Sequence, residues 1–359
     1  MNNPKAHHHR LRRIGLVLLV ILLLIPVLGF IYQSVGAALD ARNNPPPGRL
    51  VDVGGYRLHL YCTGEGTPTI VLDSGLGGSW LDWSRVQPAL AETTRVCSYD
   101  RAGMGWSDVG PEPRDARHAV EELHTLLQSA GEASPYILVG HSNGGLRVRL
   151  YAAEYPGEVV GIVLVDPTMT QTVDEELALL PVETRERILA LVAELGQSTE
   201  ISTPDQNPGM QALAALAPFG AMRLMGGGLL ELSNSLPSDA VEPYRAVAMR
   251  TSYLPSILAE SRQIQASIQE VRDQSVNLGD LPLVVLLNAA APPSSTASEA
   301  EQELQQLTAP LVQAAGEALA ALSSRGQLIL VEGSGHYIQV DQPDTVIQSI
   351  QQVIDATPG

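Results

Sequence analysis

"YILVGHSNGGL" (residues 136–146) is an aliphatic strand that runs into a glycine, turns on a serine and leaves as a helix. "YILVG" has the length and composition of a buried strand, and "GGLRVRLYAAEYP" carries a helical pattern that Pro156 ends. Gly140 and Gly144 bracket Ser142 as Gly-x-Ser-x-Gly. At average composition about one chain in ten of this length holds that pattern by chance. The strand before it and the helix after it therefore carry the argument. A serine on such a turn is strained and lifts its hydroxyl above the sheet, while the glycines let the backbone close around it. An ordinary helix N-cap has no need of glycine on both sides.

A serine hydroxyl is a weak nucleophile at neutral pH and needs a base. Of the eight histidines, His7, His8 and His9 precede an apolar stretch, His59 lies mid-strand, and His118 and His124 belong to a helix. His141 adjoins the serine and is expected to point elsewhere. His336 remains, in "VEGSGHYIQVD" after the last strand, on a loop that Gly333 and Gly335 loosen. The base in turn needs an orienting carboxylate. Between Ser142 and His336 stand Asp166, Asp174, Asp205, Asp239, Asp273 and Asp280. Only Asp166 ends a predicted strand ("VVGIVLVD") at the same sheet edge as Ser142. Asp280 precedes its strand and so sits at the wrong end. Asp166 could instead cap the turn before Pro167, which leaves Glu299 and Glu301 as rivals. The tetrahedral oxyanion needs backbone N–H donors. Asn143 supplies one, and Leu76, in the Gly-rich loop "DSGLGGSW" (73–80), is the best-placed second.

Outward from this turn, short β-rich runs alternate with helical stretches, which implies a mostly parallel sheet of about eight strands covered on both faces. "RLVDV" and "YRLHLYC" read as a hairpin around Gly54-Gly55. In "DARHAVEELHTLLQSAG", Val120, Leu123, Leu126 and Leu127 share a helical face that Gly131 stops. Residues 167–279 break the rhythm with a largely helical pattern. The alternation resumes at "LPLVVLLN" (281–288) and closes with "GQLILVEG" and "DTVIQSIQQVIDA". The organisation expected is a basic segment 1–13, an apolar anchor 14–32, a stiff linker 33–49 with Pro45–Pro47, a core 50–166 and 280–359, and a helical cap 167–279.

Five stretches in order, "DSGLGGSWLDW", "DRAGMGWSD", "GHSNGG", "VLVDP" and "GSGHYIQVDQP", resemble the α/β-hydrolase fold family, in particular its esterase-type members with a helical cap. The resemblance runs from about Leu50 to Ala356; the cap matches only in position and helical character. It implies nucleophile, acid and base in the chain order Ser142, Asp166, His336. Most members place the acid after the seventh strand, where this chain reads "AAAPPSSTASEAEQ" with no aspartate; some place it after the sixth, as Asp166 would be. In the family the second and fourth strands are neighbours, which implies a disulfide between Cys62 and Cys97 in an exported domain. Members with Asp at the elbow hydrolyse epoxides or remove halides, and Ser142 argues against both.

The N-terminus bears on location. Lys5, Arg10, Arg12 and Arg13 precede "IGLVLLVILLLIPVLGFIY" (14–32), long enough to cross a hydrocarbon core of about 30 Å. The basic cluster predicts a cytoplasmic N-terminus and an extracytoplasmic catalytic domain. The rival is a signal peptide cleaved near Ala37 and a secreted domain. The formal net charge of −17 disfavours nucleic acid as a partner. No metal-ligand spacing, phosphate cradle or dinucleotide fingerprint is present, so no cofactor is expected. The expected function is hydrolysis of a small-molecule ester with an apolar part, through an acyl-enzyme. Carbon–carbon bond hydrolases, haloperoxidase-type members, peptidases and a non-enzymatic binding protein remain alternatives, and the oligomeric state stays open.

Overall fold

A computed structural model describes residues 4–171, 173–196, 203–225, 236–274, 276–289 and 298–357. Eight strands form one sheet: β1 (Arg49–Asp52), β2 (Arg57–Thr63), β3 (Thr69–Asp73), β4 (Val96–Asp100), β5 (Tyr136–His141), β6 (Val159–Val165), β7 (Leu283–Asn288) and β8 (Gly326–Val331). Their spatial order is β1-β2-β4-β3-β5-β6-β7-β8. β1 and β2 make the antiparallel hairpin, β2 pairs antiparallel with β4, and all later pairings are parallel. This is the α/β-hydrolase fold.

The main helices are α1 (Pro4–Asn43), α2 (Ala116–Ala130), α3 (Gly144–Glu154), α4 (Val182–Glu194), α5 (Pro208–Leu216), α6 (Ser238–Ala248), α7 (Tyr253–Arg262), α8 (Ile264–Asp273), α9 (Glu299–Ala320) and α10 (Pro343–Ala356). Strand alternation sorts the core into two layers. Val71, Leu138, Ile162, Leu164 and Val285 pack on one face with Val120, Leu123, Leu126 and Leu127 of α2. Ile70, Leu72, Val139, Val163, Val165 and Leu286 pack on the other with Val346, Ile350 and Val353 of α10. Asp115 caps α2 by accepting from the His118 N–H, and Gly131 closes it in the left-handed region.

Between β6 and β7 the described residues 167–278 hold helices and turns and no strand. They have an apolar cluster of their own, in which Met222, Tyr244, Met249, Tyr253 and Leu258 meet Leu81, Met104 and Trp106 from the loops at the carboxyl edge. Met225, by contrast, is exposed. Trp83 is fully buried in the second core layer, and Trp80 packs edge-on against His59 and Tyr61.

The linker expected over 33–49 is shorter than that. α1 runs unbroken through Asn43, so only residues 44–48 connect it to β1. Two causes account for this. Nothing between Tyr32 and Asn43 breaks a helix until Pro45, and this part of α1 is docked on the cap: Gln33 is buried and its Nε2 donates to the Met249 carbonyl at 2.8 Å. Tertiary contact thus extends a helix that local sequence would let fray.

Candidate active site

β5 delivers Ser142 to the carboxyl edge at φ 52°, a positive angle uncommon outside glycine. A Cβ on Gly140 would lie 2.6 Å from the Gly144 carbonyl, and one on Gly144 would lie 2.3 Å from the Asp73 carbonyl. The Gly-x-Ser-x-Gly spacing is therefore a steric requirement of the strand-to-helix crossing. The turn is tied down: Ser142 N–H donates to Val165 O at 3.1 Å, and Ser142 O accepts from Gly145 and Thr168 N–H.

Asp166 follows β6 directly, also at positive φ (40°), and its N–H donates to Leu286 O. Its Oδ2 lies 2.6 Å from His336 Nδ1. Asn288, the last residue of β7, donates its backbone N–H to Oδ1 and its side-chain Nδ2 to Oδ2, each at 3.1 Å. Asp166 and His336 are thus brought together. Glu301 is spent elsewhere, its Oε2 accepting from the N–H and hydroxyl of Ser298 in a capping box, and Glu299 stands exposed in the first turn of α9. The empty-looking stretch after β7 lies, over 290–297, outside the described residues.

Ser142 Oγ and His336 do not share a hydrogen bond in this structure; their neighbour His141 links the two loops. His141 Nε2 donates to the His336 carbonyl at 2.9 Å, and the two rings lie 4.7 Å apart. Burial, and secondarily the charge of His336, push the His141 pKa down to about 3, so its ring is neutral. His141 thus lies against the loop that carries His336 and supports it.

The loop 74–77 passes beside the serine. A Cβ on Gly75 would come within 3.0 Å of Ser142 Cβ, so only glycine lets this backbone approach. Among the described residues, no protein acceptor engages the N–H of Leu76 or of Asn143. Two buried guanidiniums fix the other side of the loop. Arg101 donates to Ser74 O at 2.9 Å and to Gly75 O at 2.7 Å, and Arg147 donates to Ser74 O at 2.6 Å. In a planar trans peptide, holding the Gly75 carbonyl on one side directs the Leu76 N–H to the other. Arg147 pairs with Asp73, and Arg101 is held in a two-bond fork by Glu260 of α7, at 2.7 and 3.0 Å. Burial opposes the Arg101 charge, yet Glu260 and Asp73 outweigh it and raise its pKa.

Sequence reasoning overlooked Asn288, Arg147 and Glu260. Asn288 had a legible signal, ending a strand at the same edge as Asp166. Glu260 had none, because only folding brings α7 onto the loop after β4. Cys62 and Cys97 face each other across β2 and β4 and form a disulfide. Glu132 lies beside them, but those sulfurs are bonded to each other and Glu132 pairs with Arg49 and Arg95, so the cluster offers nothing to a metal. A hollow of about 350 Å³ lined by Leu283, Arg325 and Gln352 sits at the opposite edge of the sheet. Ligands in open α/β sheets bind at the carboxyl edge, so that hollow is set aside.

Residues 68–208 match the family model described as the alpha/beta hydrolase fold. A probable transporter, efuK, of Hormonema carpetanum is 37% identical over 34% of this chain and 19% of its own length. The putative carbamate hydrolase RutD of Klebsiella pneumoniae is 37% identical over 29% of this chain and 40% of its own length. The chain thus spans less than half of either relative. Among solved structures, epoxide hydrolase VrEH1 from Vigna radiata superposes with a TM-score of 0.62 at 17% identity, over 86% of this chain and 97% of that one. Strand order, serine-bearing turn and matched segment together give this chain the α/β-hydrolase fold, and residues 68–208 are similar to that family's model.

Proposed function

We propose that this chain is a serine hydrolase that cleaves carboxylic esters. Ser142 attacks the ester carbonyl while His336 Nε2 takes its proton. The leaving alcohol departs with that proton, and water, activated by the same imidazole, releases the acid from the acyl-serine. Asp166 keeps the Nδ1 proton on its own side, and Asn288 holds Asp166. The N–H groups of Leu76 and Asn143 receive the oxyanion. The observation that carries this reading is the 2.6 Å contact of Asp166 Oδ2 with His336 Nδ1 at the edge where Ser142 is displayed. The missing Ser–His bond is compatible with it, since such bonds often tighten only once substrate is bound. Epoxide opening of the kind named for VrEH1 is disfavoured by serine at the elbow. The Met- and Leu-rich cap cluster favours an apolar acyl or alcohol group.

The same reading places the protein at a membrane, with α1 crossing it and the catalytic domain outside. The apolar run has a mean hydropathy of 3.2, basic residues precede it, and the disulfide suits an oxidising compartment. The test is hydrolysis of short- and long-chain aryl esters by the full chain in detergent, beside Ser142→Ala, with labelling by a serine-directed fluorophosphonate. Turnover and labelling that vanish in the variant are expected; a parent that neither turns over any ester nor labels ends the proposal.

A further inference from the structure

α1 is 40 residues long, about 60 Å at 1.5 Å per residue, which is twice a hydrocarbon core. Its second half does not stand free. A Cβ on Gly29 would sit 2.6 Å from the Phe219 carbonyl, and one on Gly220 would sit 2.9 Å from the Tyr32 ring. Small residues therefore let the cap segment around Ala217–Phe219 press directly on α1. Above this contact the partners turn polar: Arg223 Nη2 donates to Asp40 Oδ2 at 2.6 Å, and Gln33 donates to Met249 O. The apolar run of α1 ends at Tyr32, so the change from lipid to water falls near Gln33.

This register sets the depth of the cap. Phe219 lies level with Gly29, about one helical turn, or ~5 Å, below the end of the apolar run. Leu216 and Phe219 at that contact are 51% and 38% exposed. Apolar side chains at such a depth match the ~5–10 Å to which interfacial segments bury. Resting on the reading of α1 as a membrane-crossing helix, we propose that Leu216 and Phe219 form a lipid-contacting face that seats the cap in the outer interface of the bilayer. The occupant is the glycerol and upper acyl region of phospholipid. Arg223 is paired with Asp40, and the chain is strongly acidic, so headgroup charge plays no part.

The described residues contain no free cysteine, so single cysteines can be introduced and labelled with bimane. The full chain carrying Leu216→Cys, Phe219→Cys or, at the opposite edge of the sheet, Gln352→Cys is reconstituted into phosphatidylcholine vesicles with lipids brominated near the glycerol. Quenching at 216 and 219 at least threefold that at 352, unchanged by salt, is expected. If the chain floats with the vesicles but 216 and 219 are quenched no more than 352, the lipid-facing cap is overturned while the anchor stands. If the chain does not float, anchor and proposal fall together. Should one variant misfold by circular dichroism, the other position carries the test.

Discussion

Replacing Asp166 by asparagine is expected to leave the fold and remove the chemistry, and the local hydrogen bonds say why. Asp166 Oδ1 accepts from the backbone N–H of Asn288, a donor that cannot turn away. An asparagine must therefore put its oxygen there, because its NH₂ would face another donor. Its NH₂ then occupies the place of Oδ2, 2.6 Å from His336 Nδ1, where it donates. That forces the His336 proton onto Nε2, the nitrogen that has to receive the serine proton. The Asn288 side-chain amide, which donates to Oδ2, adapts by a flip. A wrong-tautomer substitution of this kind lowers kcat by about 10⁴, or ~5.4 kcal/mol of transition-state stabilisation. The assay is steady-state hydrolysis of a short aryl ester by the full chain in detergent, with thermal unfolding as the folding check. Glu299→Gln, outside this network, should keep kcat within about twofold, since exposed substitutions away from such features do little. An Asp166→Asn enzyme within tenfold of the parent kcat, folded as the parent is, would refute the assignment of the acid.

Glu260→Gln leaves Arg101 buried with only Asp73, which Arg147 already holds; a loss of about 3–5 kcal/mol is expected in denaturant unfolding, with kcat falling more than KM as the Leu76 N–H loses its aim. Parental stability and kcat would sink that account. The Cys62→Ser/Cys97→Ser pair opens a loop of sequence separation 35, and the chain-entropy relation gives about 4 kcal/mol of lost stability. A midpoint that does not move would contradict it. His141 is held neutral with its pKa near 3, below its unfolded value, so its contribution is present above about pH 6.5 and lost as pH falls through 3. His141→Asn should flatten that acid limb of the stability curve. Burial pushes the Asp82 carboxyl up to about 7, so its contribution is present below about pH 4 and lost as pH rises through 7; Asp82→Asn should make the protein relatively more stable at pH 8 than at pH 5.

The chain's local chemistry determined a good deal by itself. Continuous aliphatic runs separated by amphipathic helices required a parallel sheet covered on both faces, and glycines on either side of Ser142 required a turn that raises it. Placing His336 and Asp166 needed only the rule that loops after parallel strands share one edge. What sequence could not supply is which supporting polar groups, far apart in the chain, meet outside the triad. The helix of α1 continues past its apolar run because Gln33 and Asp40 find the cap, a partner nearly two hundred residues away or more. Glu260 reaches Arg101 across 159 positions, and Asn288 reaches Asp166 across 122. Hydrophobic periodicity reports which face of an element is buried; it does not report which polar group will stand opposite. That is decided when the layers pack and each buried donor has to find an acceptor.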